Sequence, residues 1–459
     1  MGALDKLEEK KDPEELITKT YSDAQHFDEK HNFMLTFNSL PSNYENFSGL
    51  VVSIKDCFTT SGLRTTAGSK ILEDYVPVFD ATLVKRLKAS GAYILGKTAM
   101  DEFGFGTFSL NCAFKIPKNA LDKKRVAGGS SGGAGVATQL LKEHPHVAIA
   151  ESTGGSISNP AAFNGVFSLT PTYGMISRYG LIDYANTLDK PGVIASSLKD
   201  VAYVMDVLKG KDVKDPTSLN YEKSFMEALS NNSVKKIGVL SSYVSKVDDK
   251  KILSSFHDFV DFLNKEDYDV EEVSLTLTDA ALASYYIIAT AEASTNLAKY
   301  CGMRYGKEGD PEGKHFDEYF SEIRGKYFGE EVKRRIILGS FVRMAGYRDA
   351  YYLKALKVRT KVIEEFKSLF TKYDVLIAPT MPILPPKIND AEKLKPHEIY
   401  ALDVLTVPVN LAGIPHINIP VKTNSSLPAG VHLIGNHLQD AELVSFGYWV
   451  EQHYKGIFQ

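Results

Sequence analysis

Cysteine is scarce in this sequence, and the few cysteines lie far apart. Cys57, Cys112 and Cys301 are odd in number and form no C-x-x-C pair. This usage argues against a disulfide framework and against a zinc site, and it indicates reduced thiols in an intracellular compartment. The 11 histidines are scattered along the 459 residues. We therefore expect no metal site in this chain.

Long apolar runs and an excess of positive charge are also missing. No apolar run approaches the roughly 20 residues that span a bilayer, so we expect no membrane insertion. The N-terminal sequence MGALDKLEEKKDPEEL is acidic and mixed, unlike a signal peptide or an intact mitochondrial presequence. With a formal net charge of −4, the chain is expected to leave most nucleic-acid binding to a partner. The basic runs 123–125 and 333–335 are interpreted as solvated faces.

Short apolar runs alternate with helical patterns along most of the chain, which predicts an α/β fold. A buried strand is predicted to end at Lys55, and another covers residues 146–150. A long helix is predicted over 348–372. Because no linker rich in proline, glycine or serine interrupts the chain, we expect a helical arm at residues 1–38 and one domain over 39–459.

A literal phosphate-loop pattern occurs at residues 91–98, GAYILGKT. The mechanism of that loop requires a preceding apolar strand and flexible residues whose amides wrap a phosphate. Here the preceding segment is helical, and the inner residues are bulky strand formers. We therefore interpret the segment as a strand and not as a nucleotide site.

Two glycine-serine motifs are more informative. Residues 128–133, GGSSGG, contain G-x-S-x-G in two registers, yet the upstream segment is a poor buried strand. Taken alone, this motif is most simply a glycine-rich turn that opens a helix. Residues 153–162, TGGSISNPAA, follow a strand and lead into a helix begun by proline. Paired glycines let consecutive N–H groups turn inward, as an oxyanion hole requires.

The two motifs have serines 26 residues apart, and with Lys55 at an earlier strand end they resemble the amidase-signature family. Segments 96–103 and 165–181 extend the similarity. Further segments resemble one branch of the family, the A subunits of glutamyl-tRNA(Gln) amidotransferase: 331–336, 351–352, 357–360 and 407–413. The resemblance implies the amidase-signature fold, an α/β structure with a large mixed β-sheet flanked by helices on both faces.

The sequence departs from the family pattern at two positions beside the second motif. The family usually has aspartate where this chain has Ser152, and arginine where it has Ser158. Such drift resembles a fungal mitochondrial version of the family. The expected location is therefore the mitochondrial matrix, with a bacterial-type cytoplasm as the alternative.

The resemblance also implies a serine-serine-lysine triad. Ser156 is the expected nucleophile, Ser130 the proton relay and Lys55 the base, whereas Ser131 is expected to be structural. A free lysine has a pKa of about 10.4, and burial can lower it by roughly 3–5 units. Without the serine motifs, Lys55 would be interpreted as a lysine that extends from a strand end to solvent. The oxyanion hole is expected from the backbone amides around Thr153, Gly154 and Gly155.

Two charged residues interrupt apolar patterns and suggest a polar substrate. Arg359 lies on the apolar stripe of the helix predicted over 348–372, and Asp403 lies within the apolar run 399–413. An inward charge needs a partner. One interpretation is a structural ion pair between Arg359 and Asp403. The other, which the resemblance favours, is that Arg359 binds the α-carboxylate of glutamine and Asp403 its α-ammonium, with Tyr305 at the pocket wall.

The implied function is the glutamine-hydrolysing subunit of an amidotransferase. The implied partners are a B subunit, with ATP and magnesium bound there, and a small third subunit, while Glu-tRNA(Gln) is contacted mainly through the partner. No cofactor is expected in this chain. One alternative is a stand-alone amidase for acyl or aryl amides, whose uncharged substrates have no use for Arg359 and Asp403. Another is a scaffold that has lost catalysis.

Overall fold

The computed structural model describes residues 2–9 and 12–458, and their strands form a single mixed sheet. The spatial order of its eleven strands is β1-β3-β2-β4-β6-β5-β10-β11-β9-β7-β8. Strand β2 is parallel to β3 and β4, and β7 is parallel to β8 and β9; the other neighbours are antiparallel. The strands are β1 (Met34–Phe37), β2 (Val51–Lys55), β3 (Tyr93–Thr98), β4 (His146–Ser152), β5 (Phe167–Thr170), β6 (Lys190–Ala195), β7 (Lys236–Leu240), β8 (Asp269–Val273), β9 (Val375–Pro379), β10 (His416–Val421) and β11 (Ala429–Gly435).

Seventeen α-helices accompany the sheet in these described ranges. They are α1 (Ala3–Glu9), α2 (Pro13–His31), α3 (Thr82–Ala89), α4 (Gly132–Leu140), α5 (Ser158–Asn164), α6 (Leu198–Leu208), α7 (Phe225–Ala228), α8 (Ser241–Val244), α9 (Lys250–Lys265), α10 (Thr278–Asn296), α11 (Phe316–Tyr327), α12 (Glu330–Arg343), α13 (Lys354–Leu369), α14 (Ile388–Ala391), α15 (Pro396–Ala401), α16 (Val407–Ala412) and α17 (Asp440–His453). Short 3-10 turns lie at Lys70–Leu72, Glu102–Gly104, Leu297–Lys299 and Leu402–Leu405, and a π-helical turn at Asp349–Leu353. The predicted α/β class with a large mixed sheet is confirmed.

The strand predictions hold where apolar runs are buried on both faces. Every residue of β2 is buried, and the strand ends at Lys55 as expected. The phosphate-loop pattern lies mostly in β3, whose residues are all buried. A side chain at Gly96 would collide with the carbonyl oxygen of Thr36 in the neighbouring strand. The glycine therefore serves strand packing, and the interpretation of this segment as a strand is confirmed for residues 93–98.

The N-terminal segment is helical over α1 and α2 but ends differently from the prediction. Residues 34–37, inside the predicted helical arm, form β1 and pair antiparallel with β3. Phe33 and Met34 are buried, and they share an apolar cluster with Ile17 of α2 and Val51 of β2. Burial of these side chains explains why the chain leaves the helix and joins the sheet. The division of the chain near residue 38 stays a prediction.

The long predicted helix is also divided. It opens as a π-helical turn, Asp349–Leu353, and continues as α13 from Lys354 to Leu369. In the part of the chain that the structure describes, no helix combines the length and the apolar character that a membrane crossing requires.

The parallel pairing of β2 and β4 determines where the candidate active-site residues lie. Ile54 lies opposite Ile149, so the C-terminal ends of both strands meet at one edge of the sheet. Ligands of α/β sheets bind at such carboxyl ends. The loop at residues 128–131 leads into α4, which contacts β4 and α5. Both serine motifs are thereby brought to the end of β2.

Candidate active site

Lys55 is fully buried at the end of β2, and its ammonium group has three acceptors. Nζ donates to Ser130 Oγ at 2.8 Å, to the carbonyl oxygen of Glu151 at 2.9 Å and to Glu151 Oε2 at 2.9 Å. These three bonds match the three protons of a lysine ammonium. The structure thus joins the two residues that the sequence predicted as base and relay. It adds Glu151, which sequence reasoning missed.

The loop of the first serine motif is held by bonds to both neighbouring segments. The Gly129–Ser130 peptide bond is cis, and the Gly129 amide donates to the carbonyl oxygen of Thr107 at 2.7 Å. The Ser131 hydroxyl donates to the Glu151 carbonyl at 3.0 Å. Its amide donates to the carbonyl oxygen of Ser156 at 3.3 Å. Ser131 therefore ties the two serine motifs together, which fits the structural role expected of it.

Ser156 is the accessible member of the predicted triad. It is 7% exposed, whereas Lys55 and Ser130 are completely buried. Among the described residues its hydroxyl has no hydrogen-bond partner, and the predicted bond to Ser130 Oγ is not formed. Ser130 Oγ accepts from Lys55, so its own proton is not committed to Lys55. The hydroxyl that opens to solvent is thus the one that a substrate can reach.

The amides around the second serine motif are free to bind an oxyanion. In the described chain, none of the N–H groups of residues 153–156 donates to a protein acceptor. Two carbonyl groups of the loop are tied instead: Ser152 Oγ donates to the Gly154 oxygen at 2.9 Å, and Asn410 Nδ2 donates to the Thr153 oxygen. Unpaired N–H groups beside a nucleophile are the donors that an oxyanion hole needs.

The paired glycines serve a purpose different from the one inferred from sequence. Neither Gly154 nor Gly155 has a positive φ. A Cβ atom at Gly154 would lie 2.9 Å from the Tyr285 hydroxyl, and one at Gly155 would collide with Thr406 Oγ1. The glycines are therefore required by close packing against α10 and the start of α16, and not by an unusual backbone conformation.

The two positions that depart from the family pattern belong to neutral hydrogen-bond networks. Ser152 caps its own loop, as described above. Ser158 Oγ lies 3.1 Å from His416 Nδ1, and His432 Nε2 lies 2.7 Å from the same nitrogen. Burial lowers the pKa of His432 to about 3 and that of His416 well below its usual value. Ser152 and Ser158 are thus both engaged in hydrogen bonds within the protein.

Asp403 lies in the 3-10 turn before α16 and is linked to the first serine motif. Its Oδ2 accepts from the Tyr286 hydroxyl at 2.6 Å and from Thr107 Oγ1 at 3.1 Å. Thr107 in turn accepts the Gly129 amide at 2.7 Å. Burial raises the pKa of Asp403 to about 6, although the Tyr286 hydrogen bond and the charge of Arg335 oppose the shift.

Arg335 is a functional candidate that sequence reasoning missed. The interpretation of the basic run 333–335 as a solvated face is wrong for this residue, because Arg335 is only 3% exposed. Its Nε donates to Glu331 Oε1 at 2.8 Å and its Nη1 to the Tyr184 hydroxyl at 2.6 Å. Its guanidinium carbon lies 5.4 Å from the ring centroid of Tyr286.

A periodic signal for Arg335 was present in the sequence. The buried residues of α12 recur at helical spacing and include Arg335. The neighbours in the run, Lys333 and Arg334, are partly exposed and bond to Glu330 and Glu331. The run therefore combines two surface cations with one buried cation, and charge alone does not separate them.

Arg359 and Tyr305 are not brought to Asp403. The Arg359 guanidinium donates to the Leu411 oxygen at 3.0 Å and to both oxygens of Thr187 at 2.8 Å. It forms no ion pair with Asp403 among the described residues, so the structural pair considered from sequence is absent. Tyr305 is 51% exposed and packs against Tyr300, with 6.4 Å between ring centroids. The cation beside Asp403 is Arg335.

With this geometry established, similarity to known proteins defines the class. The chain belongs to the Amidase family, whose model matches residues 15–444. It is similar to the A subunit of glutamyl-tRNA(Gln) amidotransferase from Saccharolobus solfataricus, with 41% identity over 452 residues covering 96% of this chain and 93% of that protein. The corresponding A subunit from Archaeoglobus fulgidus is 45% identical over 407 residues, covering 89% of this chain and 86% of that protein.

A solved structure is similar over almost the whole chain. The crystal structure of the A subunit of glutamyl-tRNA(Gln) amidotransferase from Thermotoga maritima superposes with a TM-score of 0.84 at 32% identity, covering 98% of this chain and 94% of that chain. The resemblance to the amidase-signature family, and to that branch of it, is thereby confirmed. The fungal mitochondrial origin stays a prediction.

Proposed function

We propose that this chain is the glutamine-hydrolysing subunit of a glutamyl-tRNA(Gln) amidotransferase and that it releases ammonia for a partner subunit. The observation that carries the proposal is the buried hydrogen bond from Lys55 to Ser130, in the loop whose Ser131 amide donates to the carbonyl oxygen of Ser156. Relatives named as the A subunit of that enzyme, at 41% and 45% identity, support the same conclusion.

In the proposed reaction, Ser156 Oγ attacks the side-chain amide carbonyl of glutamine. The Ser156 proton passes to Ser130, and the Ser130 proton passes on toward Lys55. The free N–H groups of residues 153–156 stabilise the negative oxygen of the tetrahedral intermediate. The proton then returns to the departing nitrogen, which leaves as ammonia, and a γ-glutamyl ester remains on Ser156. Water hydrolyses this ester by the same relay and releases glutamate.

Recognition of glutamine is assigned to opposite charges on one wall of the site. Asp403 attracts the α-ammonium group, and Arg335 attracts the α-carboxylate. Tyr286 contacts both side chains, through its hydroxyl and through its ring face. Arg335 replaces Arg359 in this proposal, because the donors of Arg359 are engaged with Thr187 and Leu411. A stand-alone amidase for uncharged amides would have no use for this pair of charges.

The remaining parts of the reaction belong to other subunits. We assign ATP with magnesium, and the activation of the glutamyl group, to a B subunit, and we include a small third subunit. Glu-tRNA(Gln) binds mainly through the partner, consistent with the net charge of −4 on this chain. Location in the mitochondrial matrix is part of the proposal and rests on Ser152 and Ser158, the departures from the family pattern.

The test measures ammonia release from glutamine by the purified chain, alone and with its partner subunits, ATP and Glu-tRNA(Gln). Ser156→Ala should abolish release while the protein still folds. Ser168→Ala is the matched control, because Ser168 is a buried serine of β5 whose hydroxyl has no hydrogen-bond partner among the described residues. Equal release by wild type and Ser156→Ala would refute the assignment. Release from simple amides but never from glutamine would favour a stand-alone amidase.

A further inference from the structure

A buried carboxylate contacts the lysine of the relay. Glu151 lies in β4, next to Ser152, and its side chain is 4% exposed. Its Oε2 is 2.9 Å from Lys55 Nζ. A neighbouring carboxylate stabilises the ammonium form of lysine. This contact conflicts with a mechanism in which a free neutral Lys55 accepts the serine proton.

A second buried carboxyl group determines whether Glu151 is protonated. The Thr153 hydroxyl is 2.9 Å from Glu151 Oε1 and also 2.9 Å from Asp189 Oδ1. One hydroxyl has a single proton and can donate to only one of these oxygens. The other oxygen must therefore donate to the hydroxyl, which requires that one of the two carboxyl groups is protonated.

Asp189 is the group that keeps the proton. It is fully buried, and burial followed by the charge of Glu151 raises its pKa well above the usual value. The amides of Tyr184 and Ala185 donate to its oxygens without reversing the shift. Protonated Asp189 donates to Thr153, and Thr153 donates to Glu151. The chain of hydrogen bonds thus ends on a Glu151 carboxylate that faces Lys55.

We propose that Glu151 is a positioning residue of the relay, which shares one proton with Lys55 and takes a proton from it when Ser156 attacks. This inference rests on the proposed function only in that Ser156 is the nucleophile. A pair that holds one proton carries no net charge and is less costly to bury than a lone ammonium ion. Lys55 then acts in the relay without having to exist as an isolated amine.

The proton balance of the step is complete. The Ser156 O–H bond breaks as its oxygen bonds to the amide carbon, and the proton joins Ser130. Ser130 gives its own proton to Lys55, while Lys55 gives one of its protons to Glu151 Oε2. The negative charge moves from Glu151 to the substrate oxygen, so the total charge of the site is unchanged. Departure of ammonia takes a proton back along the same path.

Other titratable groups surround the pair and remain the same in every variant below. Asp101 has its pKa raised to about 7 by burial, against the charge of Lys55 and the amides of Ser109 and Asn111. Burial also raises the pKa of the Cys57 thiol. The further groups that face this region are Asp56 paired with Lys97, Asp189, Tyr184 and Arg335. The charge of Glu151 also contributes to the raised pKa of Asp189, so Glu151→Gln is compared with Glu151→Asp, which keeps that charge.

A proton-sharing pair and a merely structural glutamate predict different pH profiles. The pair fails only when both Lys55 and Glu151 are protonated, and this failure defines the acid limb of the wild-type profile. Glu151→Gln keeps the size and an oxygen acceptor for Thr153, but Lys55 must then lose its proton alone. The acid limb of the pH profile should therefore move to higher or lower pH with the charge at residue 151, and loss of the carboxylate should move it to higher pH. The reason is that an opposite charge shifts a pKa by roughly 1–3 units. Glu151→Asp keeps the carboxylate and should keep the limb near its wild-type position.

The experiment measures the rate at which an alkyl fluorophosphonate labels Ser156 in the full chain, from about pH 5 to about pH 10, together with kcat for ammonia release. The probe carries no ammonium or carboxylate, so its reaction does not depend on glutamine being the substrate. For Glu151→Gln we expect a fall of at least about tenfold at pH 7 that recovers at alkaline pH. Asp440→Asn, which neutralises a buried carboxyl group bonded to Thr172, is the control.

Two outcomes overturn the inference. One is a Glu151→Gln variant whose activity falls at the same acid pH as that of the wild type, whatever its maximum rate. That result indicates a structural role only. The other is a Glu151→Asp profile whose acid limb moves away from the wild-type position, which applies even if Glu151→Gln does not fold. A shifted labelling profile without ammonia release from glutamine would support the pair and refute the proposed substrate, so the two failures are distinguishable.

Discussion

The hydroxyl of Tyr286 donates a 2.6 Å hydrogen bond to Oδ2 of Asp403. The same tyrosine ring lies under the guanidinium group of Arg335 and stacks on Tyr400, with 4.4 Å between the ring centroids. Tyr286 thereby fixes an anion and a cation at the same wall. The Asp403 segment also contacts Thr107 and, through it, the Ser130 loop, so hydrogen bonds join the proposed recognition wall to the first serine motif.

Asp403→Asn should raise the KM for glutamine by about 10- to 100-fold and change kcat much less. The substitution keeps the shape and an acceptor for Tyr286 but removes the charge proposed to attract the α-ammonium group. A hydrogen bond to a charged group is worth about 1.5–3 kcal/mol. The measurement is steady-state ammonia release over a range of glutamine concentrations. Turnover of a small uncharged amide should be unaffected; an unchanged KM for glutamine would remove Asp403 from the substrate site.

The affinity for glutamine should depend on pH through the same carboxyl group. Asp403 has a pKa raised to about 6, so its charge is present above that pH and is lost as the pH falls through about 6. The KM for glutamine should therefore rise below about pH 6 and stay level above about pH 7. Asp403→Asn should abolish this dependence. A KM that is constant between pH 5 and pH 8 in the wild type contradicts the assignment.

The two arginines should respond differently to substitution. Arg335→Lys keeps a positive charge but loses the planar fork that binds a carboxylate in two places, so the KM for glutamine should rise at least about tenfold. Arg359→Lys is the matched control, and it should lower the melting temperature with little change in KM. The reason is that Arg359 bonds only Thr187 and Leu411 within the described chain. The reverse pattern of KM values would restore Arg359 as the substrate residue.

The sequence was sufficient for the parts of the site that lie within short segments. Lys55, Ser130 and Ser156 each stand in a local pattern of strand end or glycine-rich loop, and the structure brings all three to one edge of the sheet. The strand interpretation succeeded at residues 93–98 for the same reason, because bulky apolar residues at consecutive positions specify a buried strand.

The sequence was insufficient where side chains from distant segments meet. Arg335 of α12, Tyr286 of α10 and Asp403 come together only because these elements pack on each other. Both Arg335 and Arg359 interrupt apolar helical stripes, so periodicity alone does not decide between them. Glu151 was missed because its contact with Lys55 depends on the register of β2 and β4, which a single sequence does not reveal.

Gly155→Ala should lower kcat by about 100-fold or more without preventing folding. The added methyl group meets Thr406 Oγ1, so the loop must move, and with it the N–H groups proposed to stabilise the oxyanion. Loss of one such donor costs about 10²–10³ in rate. The measurement is kcat for ammonia release, supported by a melting curve.

The double variant Gly155→Ala/Thr406→Ala separates this steric cause from a general effect of alanine. Removing Oγ1 of Thr406 leaves its Cβ 3.1 Å from the added atom, so part of the activity should return. Gly325→Ala is a second control, because a Cβ at this glycine of α11 meets no atom of the described residues within 4 Å. That variant should stabilise the protein by about 0.5–1 kcal/mol, since alanine favours a helix interior over glycine. No recovery in the double variant would show that crowding by the Thr406 side chain is not the cause.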